Sequence, residues 1–186
     1  MKKILLTLTI GILLASCSDK KAEIKAENSV DFDVTKNVNE AELKYVDRWN
    51  QIELSHTDDK YGEWGGDTDI ILVYSDGKNY YAKYAKYLGS YEPPEPPKEN
   101  EEIKKWYEYK KLERGIDSIE LNSEQIELIE TSILELTKLK INSKSSFSHS
   151  GIVNRVISRD SSLIIEDYPS NKWSEFQKLK NSIMNK

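Results

Sequence analysis

Cysteine and histidine, the residues that form disulfides and bind zinc, are scarce in this chain. Its 186 residues include one cysteine, Cys17, and two histidines, His56 and His149. A single cysteine excludes a disulfide within the chain and any zinc site built from several thiolates. The sequence contains no His-Glu-x-x-His motif and no Cys-x-x-Cys pair. We therefore predict neither a metal nor a cofactor.

Signatures of covalent catalysis are also missing. There is no Gly-x-Ser-x-Gly elbow to present a nucleophilic serine. The run Ser148-His149-Ser150-Gly151 places serine beside histidine, but adjacent side chains rarely reach the geometry that a general base needs. Serine and glycine before a strand are typical of turns. The sequence favours a protein without catalytic activity.

An excess of positive charge is absent too. The chain has 27 basic residues against 32 acidic ones. A protein of this charge is repelled by the phosphates of nucleic acids and by anionic lipid surfaces. We predict that nucleic acid is not a partner, and that contact with a membrane needs a lipid anchor rather than a basic patch.

Long hydrophobic runs are limited to the N-terminus. Lys2 and Lys3 precede an apolar run at residues 4–14, which is interrupted only by Thr7, Thr9 and Gly11. A transmembrane helix needs about 20 residues. A shorter apolar run after positive charges is typical of a secretory signal peptide.

The predicted signal peptide ends in Leu14-Ala15-Ser16-Cys17. A branched apolar residue, two small residues and a cysteine resemble the lipobox of bacterial lipoproteins with a type II signal peptide. The resemblance covers only this N-terminal segment. It implies that the bond before Cys17 is cut and that Cys17 carries palmitate as part of a membrane anchor in the cell envelope. Ser18 is not the aspartate that retains some lipoproteins in the inner membrane, which implies the outer membrane.

The composition changes after the lipobox. Residues 18–40 are rich in Lys, Glu, Asp and Asn, so we predict a disordered tether with a reach of roughly 25 Å. Residues 41–186 are enough for one domain with its own core. The predicted organisation is a signal peptide at 1–16, the lipidated cysteine and tether at 17–40, and a globular domain at 41–186.

Strand patterns in the domain come in pairs. Apolar alternation predicts strands at 51–57, 68–74, 79–87, 116–121, 152–157 and 163–166. Asp76-Gly77 predicts a type I′ hairpin turn between the second and third strands. Tyr80, Tyr84 and Tyr87 of the third segment, with Tyr91 after it, also fit one helix face, which leaves a helix as the alternative at its far end.

Helix patterns predict four further elements. The first is a helix at residues 41–49, and the second is a helix at residues 101–114, for which a strand is the alternative. The third is a helix capped by Asn122 with Gln125, and the last is a helix introduced by Pro169 and Ser170. A proline cluster at 93–97 predicts a stiff loop before the second of these. Together the elements predict an α+β fold, in which an antiparallel sheet of hairpins has helices on one face.

The loop at residues 58–69 is the candidate site, because it combines acids, aromatic residues and glycines. Its candidate partner-binding residues are Asp58, Asp59, Tyr61, Trp64 and Asp67. Aromatic residues are enriched at binding hot spots, and acids favour a basic protein partner. Alternatives are a solvated loop with Trp64 packed onto the core, a calcium site, and an envelope hydrolase. We expect a non-catalytic binding module, of which a toxin-neutralising immunity lipoprotein would be one form.

Overall fold

The structure of the protein, a computed structural model, describes residues 42–92, 102, 104–143 and 148–185. The predicted signal peptide, Cys17, the tether and the proline cluster at 93–97 lie outside the described residues. In the part of the chain that is described, no helix has the length and apolar character to span a membrane.

Six antiparallel strands form a single sheet. They are β1 (Ile52–Thr57), β2 (Thr68–Ser75), β3 (Tyr80–Leu88), β4 (Lys111–Glu120), β5 (Ile152–Ser158) and β6 (Ile164–Ser170). Their order across the sheet is β4-β3-β2-β1-β5-β6. The predicted antiparallel sheet is confirmed, and β1 at its centre pairs with both β2 and β5.

The hairpin of β2 and β3 is confirmed, but its predicted turn type is wrong. Ser75 pairs with Tyr80, so the connection has four residues rather than two. A type I′ turn needs positive φ at both central residues, whereas only Gly77 of this pair has one, at +94°. The strand at β3 also shows that the helical alternative for its tyrosines is wrong.

Two α-helices accompany the sheet in the residues that the structure describes. Helix α1 (Ser123–Asn142) begins as predicted, because the Asn122 side chain accepts the Gln125 N–H at 2.9 Å and the Gln125 side chain accepts the Asn122 N–H at 3.1 Å. Helix α2 (Ser174–Met184) begins later than predicted. Pro169 and Ser170 belong to the end of β6 instead.

The predicted helix at 41–49 is wrong. Leu43 and Val46 are buried as its apolar spacing requires, but the segment from residue 42 forms turns. The Asp47 carboxylate accepts the N–H groups of Trp49 at 2.6 Å and Asn50 at 2.7 Å. Such bonds favour a turn over a helix, and they leave Trp49 80% exposed.

In the described part of residues 101–114 the predicted α-helix is wrong, and the strand alternative is confirmed from Lys111 onward. Residues Trp106–Tyr109 form a 3-10 turn, and strand β4 starts at Lys111. The order of acids before bases suits a helix dipole, but that preference is small. Pairing of β4 with β3 along its length determines the structure here.

Strand β1 sends alternate side chains to opposite faces of the sheet. Ile52 and Leu54 lie on the face that packs with both helices, which we call the covered face. Glu53 and Ser55 lie on the other face, which we call the open face, and they are buried as well. The core of the covered face contains Ile71, Val73, Ala82, Ile129, Leu136, Val156, Trp173, Phe176, Leu179 and Ile183.

Candidate functional site

The loop at residues 58–67 is shaped by two of its own acids. The Asp58 carboxylate accepts the Asp67 N–H at 2.9 Å and the Lys60 N–H at 3.2 Å. The Asp67 carboxylate accepts the Gly89 N–H at 3.0 Å and lies 3.6 Å from the Lys60 ammonium and 3.9 Å from that of Lys86. Asp58 and Asp67 are therefore brought together, and both close the loop.

The other candidate residues of this loop face outward to different degrees. Tyr61 packs edge-on against Tyr91, with ring centroids 4.8 Å apart. Asp59 is exposed, and Trp64 is 49% exposed. Trp64 is therefore not packed into the core, which removes the main reason to regard it as purely structural.

The placement of acids and histidines bears on the calcium alternative and on metal binding in general. Within the described ranges, no group of three or more His, Cys, Asp or Glu side chains is placed to hold a metal ion. His149 is exposed in the segment before β5. His56 is partly buried on β1, where another side chain occupies one of its ring nitrogens.

His56 belongs to a row of polar residues across the covered face. The row joins neighbouring positions on five strands, namely Lys86, Asp69, His56, Asn154 and Asp167. The Asn154 amide donates to the Ser170 hydroxyl at 2.8 Å and to the Asn171 carbonyl at 2.9 Å. Its oxygen is therefore the acceptor at 2.6 Å from His56 Nδ1, so Nδ1 carries the proton.

Asp69 ties helix α2 to the same row. Its carboxylate accepts the Tyr84 hydroxyl at 2.6 Å and the Lys180 ammonium at 2.7 Å. Burial and this hydrogen bond raise the pKa of Tyr84 above its ordinary value. These contacts satisfy Asp69, His56 and Asn154, which supports a structural role for this part of the row, whereas one buried oxygen of Asp167 has no partner in the described chain.

The open face carries a groove of about 610 Å³. One wall is the connection from β3 to β4 at residues 104–110, which we call the strap. The opposite wall comes from β5, β6 and the turn between them. The groove is lined by Gln51, Glu53, Ser55, Thr57, Leu72, Lys105, Trp106, Tyr107, Val153, Arg155, Ile157, Ser158, Arg159 and Glu166. It includes no candidate residue of the acidic loop and neither histidine.

The strap is held against the open face by a buried carboxylate. Glu53 is 8% exposed and accepts the Tyr107 hydroxyl at 2.7 Å and the Lys105 ammonium. Burial and the contact with Glu53 raise the pKa of Tyr107. At the end of the strap, Lys110 donates to the Gly66 carbonyl at 2.9 Å, and burial lowers the pKa of its ammonium.

Arginines stand on the other wall of the groove. The Arg155 Nε is buried and lies 3.5 Å from the nearest Glu166 oxygen, yet it has no hydrogen-bond partner within the described chain. Arg159 is exposed at the mouth, and its N–H donates to the Gln51 carbonyl at 2.8 Å. This backbone bond fixes the position of Arg159 relative to β1.

Comparison with known proteins returns nothing for this chain: no family model, no curated protein and no solved structure matches it.

Sequence reasoning missed the groove. The alternation in β5 could have placed Val153, Arg155 and Ile157 on one face, but no local pattern brings the strap over that face. Trp106 and Tyr107 lie in a segment whose predicted helix is wrong. The site is assembled from parts that are distant in sequence, and only strand pairing brings them together.

Proposed function

We propose that this protein is a lipid-anchored lipoprotein of the bacterial cell envelope, whose α+β domain is a non-catalytic binding module. We place binding in the groove of the open face. The observation that supports this most is the groove itself, because ligand sites in proteins are concave and about 300–1,000 Å³ in volume. Its volume of about 610 Å³ lies within that range.

The chemistry of the groove suits binding better than catalysis. Its acids are Glu53 and Glu166. Glu53 is occupied by Tyr107 and Lys105, and Glu166 lies beside Arg155. A general base must be within reach of a substrate proton, and a carboxylate held by a cation and a hydroxyl is poorly suited to that task. Apolar side chains and a few fixed polar groups are typical of a ligand site.

The anchor is tested at Cys17. The change Cys17→Ala removes the acceptor of the lipid, so we expect uncleaved precursor and no incorporation of labelled palmitate. Ser16→Ala is the matched control, because it keeps a small residue before the cysteine. Normal processing and labelling of the Cys17→Ala protein would contradict the lipoprotein assignment.

Binding in the groove is tested by filling it. Val153 lines the groove, so Val153→Trp should block it without adding charge. The full chain is purified from cells, and small molecules that remain bound are measured by native mass spectrometry. We expect a bound molecule on the unaltered protein and none on the Val153→Trp variant.

The control adds the same bulk elsewhere. Ile141 is 76% exposed on α1, outside the groove, so Ile141→Trp should retain the bound molecule. An unaltered protein that carries no molecule, or a Val153→Trp variant that carries as much as the control, would contradict binding in the groove. Circular dichroism spectra that match the spectrum of the unaltered protein show that both variants are folded.

The acidic loop supports a second candidate function, recognition of a basic protein. The half-exposed side chain of Trp64 and the exposed side chain of Asp59 favour it. The hydrogen bonds of Asp58 and Asp67 leave less free negative charge than the sequence suggests. Capture of a basic protein that is lost in an Asp59→Asn, Trp64→Ala variant and kept in Val153→Trp would favour the loop over the groove.

A further inference from the structure

The charged side chains of the groove have more positive than negative charge. The negative side chains are Glu53 and Glu166, and the positive side chains are Lys105, Arg155 and Arg159. The whole chain has the opposite balance, with 27 basic and 32 acidic residues. The lining of the groove therefore carries one more positive than negative side chain, whereas the whole chain is acidic.

Both acids of the groove are engaged, whereas the arginines retain free donors. Lys105 pairs with Glu53, and Glu166 approaches Arg155 only at 3.5 Å. Arg159 forms no ion pair with any residue that the structure describes. A guanidinium has five N–H donors in a planar fork that matches the oxygens of an acidic group.

The acid beside Arg159, Asp160, forms its hydrogen bonds with other residues. The Asp160 carboxylate accepts the Ser158 hydroxyl at 2.7 Å and both the N–H and the hydroxyl of Ser162, at 3.0 and 2.8 Å. These hydrogen bonds hold the pKa of Asp160 well below its usual range. Asp160 therefore stays ionised, and its hydrogen bonds hold it within the turn from β5 to β6 rather than on the Arg159 guanidinium.

The rest of the groove is apolar or aromatic. Leu72 of β2 lines it on one side of β1, and Val153 and Ile157 of β5 line it on the other side. On the strap, Trp106 is 50% exposed and lies edge-on to Tyr107, with ring centroids 5.6 Å apart. A half-exposed indole beside an apolar lining favours a flat ring as the body of the ligand.

We propose that the groove binds an organic anion: a small molecule in which one acidic group is joined to a flat ring. The acidic group pairs with Arg155 and Arg159, and the ring lies between Trp106 and the apolar residues of the strands. This inference rests on the proposed function, because it names the chemical class of ligand for the same groove.

The test compares two probes that differ in charge alone. Indole-3-acetate carries a carboxylate, and indole-3-acetamide is its neutral analogue of nearly equal shape. Binding of each to the full chain is measured by equilibrium dialysis. We expect the anion to bind at least about tenfold more tightly than the amide, a difference of about 1.4 kcal/mol.

Variants assign the difference to the arginines. Arg159→Gln is the first choice, because Arg159 is exposed and the change should not affect folding. Arg155→Gln is the second variant. Either change should lower the affinity for indole-3-acetate towards the affinity for the amide. The affinity for the amide itself should not change. Arg114→Gln on β4 removes the same charge outside the groove and should leave both affinities as they were.

The outcomes separate this inference from the proposed function. If both probes bind equally to the unaltered protein and neither binds to Val153→Trp, the groove is a binding site without preference for anions, and only the inference fails. Anion preference that persists in both glutamine variants would also overturn it. If neither probe binds, the inference is wrong, and the bound molecule sought by native mass spectrometry still decides the proposed function.

Discussion

The two faces of the sheet are built from the same strands but differ in what covers them. On the covered face, Ile52 and Leu54 of β1 pack into an apolar core under both helices. On the open face, Glu53 and Ser55 are buried to a similar degree, but they lie beneath a single strap and beside a groove. Burial alone therefore does not distinguish core from site, whereas the chemistry of the buried groups does.

Each face has one buried polar atom without a hydrogen-bond partner among the described residues. On the covered face, His56, Asn154 and Asp69 have partners, whereas one carboxylate oxygen of Asp167 has none. On the open face, the atom without a partner is a donor, the Nε of Arg155. An unsatisfied buried donor is costly to a fold, so its presence in a groove is consistent with a ligand that supplies the acceptor.

The largest expected effect lies at the centre of the covered face. Trp173 is fully buried, stacks on Phe176 at 4.6 Å between centroids, and donates to the Ser132 carbonyl at 2.8 Å. Trp173→Ala should lower the free energy of unfolding by about 3–5 kcal/mol. Trp49→Ala, at the most exposed tryptophan, should change it by less than about 0.5 kcal/mol. Urea denaturation measures the free energy of unfolding of both variants. An equal loss in the two variants would contradict the assignment of the core.

A smaller loss is expected from the ion pair of the same face. Asp69→Ala leaves the Lys180 ammonium without its partner at 2.7 Å, where both side chains are largely buried. Breaking such a pair costs about 3 kcal/mol. Asp117→Ala breaks an exposed pair with Lys83, for which we expect less than about 1 kcal/mol. The difference between the two variants in urea denaturation checks the prediction.

A still smaller loss of stability, which depends on pH, is expected on the open face at Tyr107. The folded-state pKa of Tyr107 is raised, so its contribution to stability is complete below pH 10, the ordinary tyrosine value, and is lost as the pH rises above it. Tyr107→Phe should cost about 1 kcal/mol at neutral pH through the lost bond to Glu53.

The same variant should lose less stability between neutral and strongly alkaline pH than the unaltered protein. Part of the alkaline sensitivity should remain, because the pKa of Tyr84 on the covered face is raised as well. Thermal melts across this pH range measure the change. An alkaline loss as steep as that of the unaltered protein would show that Tyr107 is not held as a neutral phenol.

The smallest effect is expected in the acidic loop. A variant with Asp58→Asn, Asp59→Asn and Tyr61→Ala keeps an amide oxygen to accept the Asp67 N–H, and it removes one edge-on ring contact with Tyr91. Its melting temperature should lie within a few degrees of that of the unaltered protein. A larger drop in the thermal melt would show that this loop supports the fold.

Local patterns predicted more of the covered face than of the open face. The capping box at Asn122 signals a helix through neighbours in sequence. The spacing of Phe176, Leu179 and Ile183 does the same for α2, and these three side chains are buried. Strand β4 was missed in part because it is an exposed edge with charged residues and little alternation.

The groove was missed for a related reason. Glu53, Arg155 and Trp106 meet only through pairing of β1 with β5 and passage of the strap across the sheet. No periodicity in any one segment encodes these contacts. The loop at residues 58–67 was easier to select, because its aromatic residues and acids are consecutive in sequence.

The central claim, that binding occurs on the open face, is tested most directly by the four tryptophan indole N–H resonances in a nitrogen-15 correlation spectrum. Trp106 reports on the groove, Trp64 on the acidic loop, Trp173 on the core and Trp49 on an exposed turn. The full chain is titrated with the soluble small-molecule fraction of the cell envelope. We predict that the Trp106 resonance shifts and the Trp64 resonance does not, while a shift of Trp64 with Trp106 unchanged would contradict the account.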